Sequence, residues 1–161
     1  MCRAAVRYGG VAESIVRHLK YRGWLHLAEI CARHMAGSIG PDALDWLVPV
    51  PLHAVRHRAR GYNQARAIAE ALAAASGLPV IDALERCRAT RSQVGLGRSA
   101  RAANVAEAFG CRFRPAGTVG LVDDVTTSGA TMVEAAGPML SGGAERVVGL
   151  AFALAPEDAQ G

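Results

Sequence analysis

Residues 120–131 read GLVDDVTTSGAT. The first of them belong to a short apolar run, GTVGLVDDV (117–125), bounded by glycine. That is the pattern of a strand buried on both faces of a parallel sheet. Two adjacent carboxylates, Asp123 and Asp124, lie at its carboxyl end. Side by side they repel, so they need water, a cation or polyol hydroxyls close by. The chain then turns into a helix expected over 129–140, GATMVEAAGPML, interrupted near Gly137-Pro138. Thr127, Ser128, Gly129, Ala130 and Thr131 would present hydroxyls and backbone N–H groups at the positive end of that helix, which is an anion cradle. Gly129 lets an anion approach the backbone closely. Carboxylates suit ribose hydroxyls, or a Mg²⁺ carried in by the ligand, rather than phosphate. An acid pair followed by an anion loop therefore reads as a sugar-phosphate site. The stretch has neither the lysine and spacing of a P-loop nor a G-x-G-x-x-G. The plainer alternative, acids that only solvate a strand end and cap a helix, explains one carboxylate more easily than two.

Around this stretch, strand and helix patterns alternate. VAESIVRHLKYRG (11–23) carries Val11, Ile15, Val16 and Leu19 at helical spacing and stops at Gly23. A second helix is expected from Trp24 to about Ala36. LDWLVPVP (44–51) reads as a buried strand running out into a proline-bearing loop. NQARAIAEALAAASG (63–77) is a helix by composition and by its terminal glycine. LPVIDALER (78–86) reads as a strand, residues 87–99 as a polar, basic loop, SARAANVAEAF (99–109) as a helix and RVVGLAFAL (146–154) as a last buried strand. The expectation is an α/β fold with a mainly parallel sheet flanked by helices. Its 161 residues form a single domain: a helical hood region over 1–40, an α/β core over 41–155 and a tail over 156–161. In such sheets ligands bind where strands end and loops lead into helices.

Charge points the same way. The formal net charge is +4, and nearly all the cation is arginine, Lys20 being the only lysine. Nine arginines fall between residues 51 and 104, against Glu70, Asp82 and Glu85. Arginine captures phosphate bidentately, so the bias fits a phosphorylated small molecule or a nucleic acid, with a solvated basic surface as the plain alternative. The segment VPVPLHAVRHRARGYNQARAIA (48–69) crowds His53, Arg56, His57, Arg58 and Arg60 ahead of a helix, a second anion site next to a strand end. His53 and His57 stand four apart, but prolines precede them and no acidic partner follows, which argues against zinc. Cys2, Cys31, Cys87 and Cys111 form no C-x-x-C pair and read as reduced thiols. No apolar run reaches the roughly 18 residues of a spanning helix, and no signal-peptide core is present, so the expected location is the cytoplasm.

GLVDDVTTSGAT resembles the signature of type I phosphoribosyltransferases, with Ser128 where a second threonine is usual. The 48–69 segment, RATRSQVGLGRSARAANVAEAF (88–109) and LKYRG (19–23) resemble the ComF/GntX branch of that family. The resemblance runs over almost the whole chain. It implies a type I phosphoribosyltransferase-like fold with a small hood and flexible loop, and 5-phosphoribosyl-1-pyrophosphate (PRPP) with Mg²⁺ as ligand. Asp123 and Asp124 would hold the ribose hydroxyls and residues 127–131 the 5-phosphate. Pro51, Leu52, His53, Arg56, Arg58 and Arg60 would hold the pyrophosphate, and Arg91, Gln93 and Arg101 would belong to a loop closing over the ligand. Members of this branch usually begin with a cysteine-rich, zinc-ribbon-like module; the chain starts at Met1-Cys2 without room for it. Either the start is internal or the module is lacking. The implied chemistry is displacement of pyrophosphate from PRPP by a nitrogen nucleophile of unidentified acceptor. A second reading is a non-catalytic PRPP- or nucleotide-binding accessory of DNA uptake, whose arginines face single-stranded DNA or the uptake machinery. A third is a folded domain that binds PRPP without acting on it. Related folds often dimerise, which makes a homodimer the expected assembly.

Overall fold

A computed structural model describes residues 1–39, 43–86 and 109–156. Its elements in chain order are β1 (Cys2–Arg7), α1 (Gly10–Tyr21), α2 (Leu27–Ile39), β2 (Trp46–Pro49), α3 (Ala54–Arg60), α4 (Gln64–Ser76), β3 (Leu84–Arg86), β4 (Phe109–Cys111), β5 (Gly117–Thr126), α5 (Ala130–Ser141) and β6 (Ala144–Leu154). Four strands form a sheet in the order β1-β6-β5-β2, every pair parallel. β3 and β4 make a separate antiparallel ribbon.

The apolar runs of β2, β5 and β6 are continuous because helices or the ribbon cover both faces of the sheet. Strand alternation divides their side chains between two cores. Leu47, Val122, Val148, Leu150 and Phe152 pack with Val16 and Leu19 of α1, Cys31 and Met35 of α2, and Ile68 and Leu72 of α4. Val48, Val50, Val119, Leu121 and Ala151 pack on the opposite side with Met132, Ala135 and Met139 of α5, Leu84 of β3 and Phe109 of β4. Among the described residues no helix is long and apolar enough to cross a membrane.

Several expectations change. The region 1–40 opens with a strand, and β1 is an edge of the main sheet, paired with β6 from Cys2↔Gly149 to Arg7↔Leu154. An edge strand tolerates Arg3 and Arg7, which hide its pattern. The second helix starts at Leu27, not Trp24, because Trp24–His26 are spent in a tight turn: Leu25 N–H donates to Gly23 C=O and Leu27 N–H to Trp24 C=O. Only Leu84–Arg86 of the expected strand 78–86 is a strand. Around Val80 the chain merely touches β2, with Leu47 N–H donating to Pro79 C=O and Ile81 N–H to Leu47 C=O; Pro79 has no N–H of its own to continue a ladder. α5 runs unbroken through Pro138. Gly137 before it has no side chain to meet the proline ring, and a single backbone bond is forgone near the helix end. The expected loop and helix over 87–109 lie outside the described residues except for Phe109, which opens β4.

At Gly120 of β5 the buried packing excludes any side chain. A Cβ on Gly120 would stand 2.9 Å from Leu44 Cδ1 and 3.3 Å from both Leu150 and Leu47 side chains, all buried. Gly120→Ala is expected to lower stability by about 1–3 kcal/mol. Urea unfolding of the variant, followed by circular dichroism, checks this.

Candidate functional site

β5 delivers its carboxylates at the carboxyl end of the sheet, where the parallel strands give way to loops. The two residues leave the strand from opposite faces, as alternation requires. Asp124 is buried, with 7% of its side chain exposed, and its Oδ2 meets Lys20 Nζ of α1 at 2.9 Å. Asp123 is half-buried, and its Oδ1 accepts the Asp124 backbone N–H at 2.8 Å. Burial, then the neighbouring Asp124 charge, push the Asp123 carboxyl far above the usual carboxylate range, to about 8, against a smaller lowering by Lys20. The buried Cys31 thiol of α2 is pushed up to about 12, first by burial and then by Asp124.

The loop after the acids keeps its expected form. Thr127 and Thr131 are half-buried and Ser128 and Ala130 exposed. Gly129 is the N-cap of α5 at φ 78, in the left-handed region that glycine enters without strain, and no side chain caps the helix. The first bond within the helix runs from Val133 N–H to Gly129 C=O at 3.0 Å, so the earlier N–H groups face forward out of the helix.

The basic segment is brought to the same edge. β2 is paired with β5 up to Pro49↔Val122, and Val50 N–H donates to Val122 C=O at 2.9 Å. The chain thus leaves β2 next to Asp123. Asn63 holds it there: its Nδ2 donates to Val50 C=O at 3.0 Å while its Oδ1 accepts the Ala65 N–H and caps α4. Pro51, Leu52 and His53 are half-buried in this turn, and His53 Nδ1 accepts the Val55 N–H to cap α3. Arg56 and Arg58 are exposed; Arg60 lies 5.2 Å from the Tyr21 ring centroid. Arg91, Gln93 and Arg101 fall outside the described residues.

Three side chains join the site without having been expected there. Lys20 is one. Arg86, at the end of β3, lies over the Phe109 ring at 5.1 Å, and its guanidinium is lowered by burial first and then by Arg56, against the pull of Glu134 and Asp123. Glu134 of α5 is raised by burial, with Arg86 acting against the rise. A sole lysine among seventeen arginines was the available sign for Lys20; nothing local marked Arg86 or Glu134. Among the described residues no group of three or more His, Cys, Asp or Glu is placed to hold a metal ion.

Several bacterial proteins are similar to this chain in sequence. Competence protein F of Haemophilus influenzae is 35% identical over 99 residues, 58% of this chain and 42% of its own length. The DNA utilization protein YhgH of Salmonella typhimurium is 32% identical over 142 residues, 83% of this chain and 63% of its own. YhgH of Escherichia coli is 30% identical over 149 residues, 87% of this chain and 66% of its own. The chain belongs with these ComF-like proteins. It spans 42% and 63% of the length of the first two relatives. No family model matches the ComF-like chain. Among solved structures, UMP synthase of Leishmania donovani aligns with a TM-score of 0.49 and 20% identity, over 84% of this chain and 24% of that one.

The raised Asp123 carboxyl has a consequence for stability. An unfolded aspartate ionises near 3.8, the folded one near 8, so between those values the native ComF-like chain binds more protons than the unfolded one. Stability contributed at this residue therefore falls as pH rises from about 4 to 8. Asp123→Asn is expected to melt at a higher temperature than wild type at pH 8, with the advantage shrinking towards pH 4. Paired thermal melts across that range measure it.

Proposed function

We propose that the ComF-like chain binds PRPP and transfers its phosphoribosyl group to a nitrogen nucleophile. The observation that carries this reading is the convergence, at one edge of the sheet, of the acid pair, a helix N-terminus without a side-chain cap and the basic β2–α3 turn. Each matches one part of the ligand. The acid pair supplies the carboxylate that takes ribose hydroxyls. The N–H groups and hydroxyls of residues 127–131 take the 5-phosphate. The turn 51–53 and Arg56 take the pyrophosphate, and Arg58 and Arg60 add to its positive field.

In the reaction, the bond from the anomeric carbon to the pyrophosphate oxygen breaks, the bond to the acceptor nitrogen forms, and the nitrogen loses a proton to solvent. The transition state has oxocarbenium character, so negative charge beside the ribose favours it and positive charge beside the leaving group favours departure. Asp123 supplies the first in its ionised form, and the arginines supply the second. Asp123 would also offer a hard oxygen donor to Mg²⁺, and the ion, when bound with the ligand, would supply charge neutralisation at the pyrophosphate. Arg91, Gln93 and Arg101 are assigned to a loop that covers the ligand, and a homodimer to the assembly, on resemblance. Calorimetric titration with PRPP tests the reading. Wild type is expected to bind with Mg²⁺ and at least tenfold more weakly without it, and Asp123→Asn to lose at least tenfold. A folded wild type that ignores PRPP would sink the proposal.

A second reading has its own observation. The relatives are named for competence and DNA utilization, and an aromatic cluster stands beside the basic helix. Tyr21 is 70% and Trp24 49% exposed. Trp24 lies 4.5 Å from the His18 ring and 5.9 Å from the His26 ring, and Tyr21 carries Arg60. Exposed rings interleaved with arginine suit stacking on single-stranded nucleic acid. On this reading an oligothymidylate binds with a salt-dependent affinity, and Tyr21→Ala/Trp24→Ala weakens it about tenfold or more. Fluorescence anisotropy at several salt concentrations reads both; equal binding by the double variant would remove the aromatic cluster from the account.

A further inference from the structure

The acid pair divides into two roles, because its members do not share one environment. Asp124 is sealed beneath α1, with Lys20 at 2.9 Å and the buried Cys31 thiol on the same face of the sheet. Asp123 is half-buried, and its Oδ1 accepts the Asp124 backbone N–H. An ion pair this enclosed keeps its geometry, since parting the charges would leave one of them buried alone. The segment that supplies Lys20 also reaches the basic helix. Tyr21 stacks on Arg60, and a Cβ placed on Gly23 would lie 3.6 Å from the Tyr62 ring. Residues 20–23 therefore touch the acid strand at one end and the Arg60–Tyr62 stretch at the other.

We propose that Lys20 is a positioning residue of the site: it holds Asp124 as its counter-ion, so that Asp123 alone of the two acids meets the ribose, and it fixes α1 against both the acid strand and the basic helix. This rests on the PRPP reading above. Removing Lys20 leaves a buried, uncompensated Asp124 beside Asp123. Removing the Asp124 charge frees the ammonium to turn to Asp123 and compete with the ribose. Removing both charges together leaves Asp123 free to act.

The experiment is a double-mutant cycle read by calorimetric binding of Mg²⁺–PRPP, on variants first shown to be folded by circular dichroism. Lys20→Met and Asp124→Asn are each expected to weaken binding at least tenfold. Lys20→Arg is expected to stay within threefold of wild type, and Lys20→Met/Asp124→Asn to recover to within about threefold. Melting temperatures of the same set separate loss of fold from loss of site, and a Lys20→Met chain that fails to fold is replaced in the cycle by Lys20→Gln. A double variant as weak as Asp124→Asn would mean that Asp124 itself touches the ribose, and a folded Lys20→Met chain that binds like wild type would remove Lys20 from the site; either overturns the inference while leaving PRPP binding intact. Absence of binding by wild type would instead overturn the PRPP reading and this inference with it.

Discussion

Two neighbouring carboxylates at the end of a buried strand are unfavourable in any fold, and the surroundings of β5 answer that constraint. Burial and mutual repulsion both act against their charges. The response is unequal. One acid is enclosed with the chain's single lysine, and the other keeps its carboxyl at the sheet edge, raised to about 8 and bonded to a backbone N–H. A buried pair of this kind contributes little net stability compared with apolar packing. The core around it is ordinary: two apolar layers, one on each face of a parallel sheet.

The rest of the site depends on how firmly the strand ends are held. Asn63 is bonded at both ends of its side chain, to the carbonyl of Val50 and to the first turn of α4. One residue thereby fixes the height at which the basic turn leaves β2 relative to Asp123. On the other side, Ala155 N–H donates to Thr126 C=O at 2.8 Å and holds the start of the 127–131 loop against the end of β6. The loops are thus placed by hydrogen bonds to the main chain of rigid strands, which is the arrangement a site needs if it is to be formed before its ligand arrives.

Much of this was legible in the residues. β5 and the loop after it showed themselves by an apolar run, paired acids and a glycine at a helix start, all of them local signals. α4 was announced by alanine and a terminal glycine. β1 was not, because an edge strand with arginines at 3 and 7 and alanines between them has no strict alternation to read. The ribbon of β3 and β4 was missed for a related reason: its two short strands are far apart in the chain, and pairing of that kind leaves no periodic mark. Lys20 lay at the end of a correctly expected helix, yet its partner is on a strand near the other end of the sequence. Contacts across such distances follow from topology, which pattern along the chain does not specify. The proline in α5 was overread as a break, since a preceding glycine and a place near the helix end remove most of its effect.

The order of strands also bears on how the molecule is made. Among the described residues β1 has one neighbour in the sheet, β6, and these are the first and last of the strands in sequence. During synthesis β1 emerges long before the strand that pairs with it, and β5 lacks its partner on that side for the same interval. Until β6 is complete, unpaired N–H and C=O groups line the open edges of both, and such edges are where chains join to one another. The strand that presents the acid pair therefore stays unpaired on one side until β6 is made, and in that interval it is open to pairing with another chain.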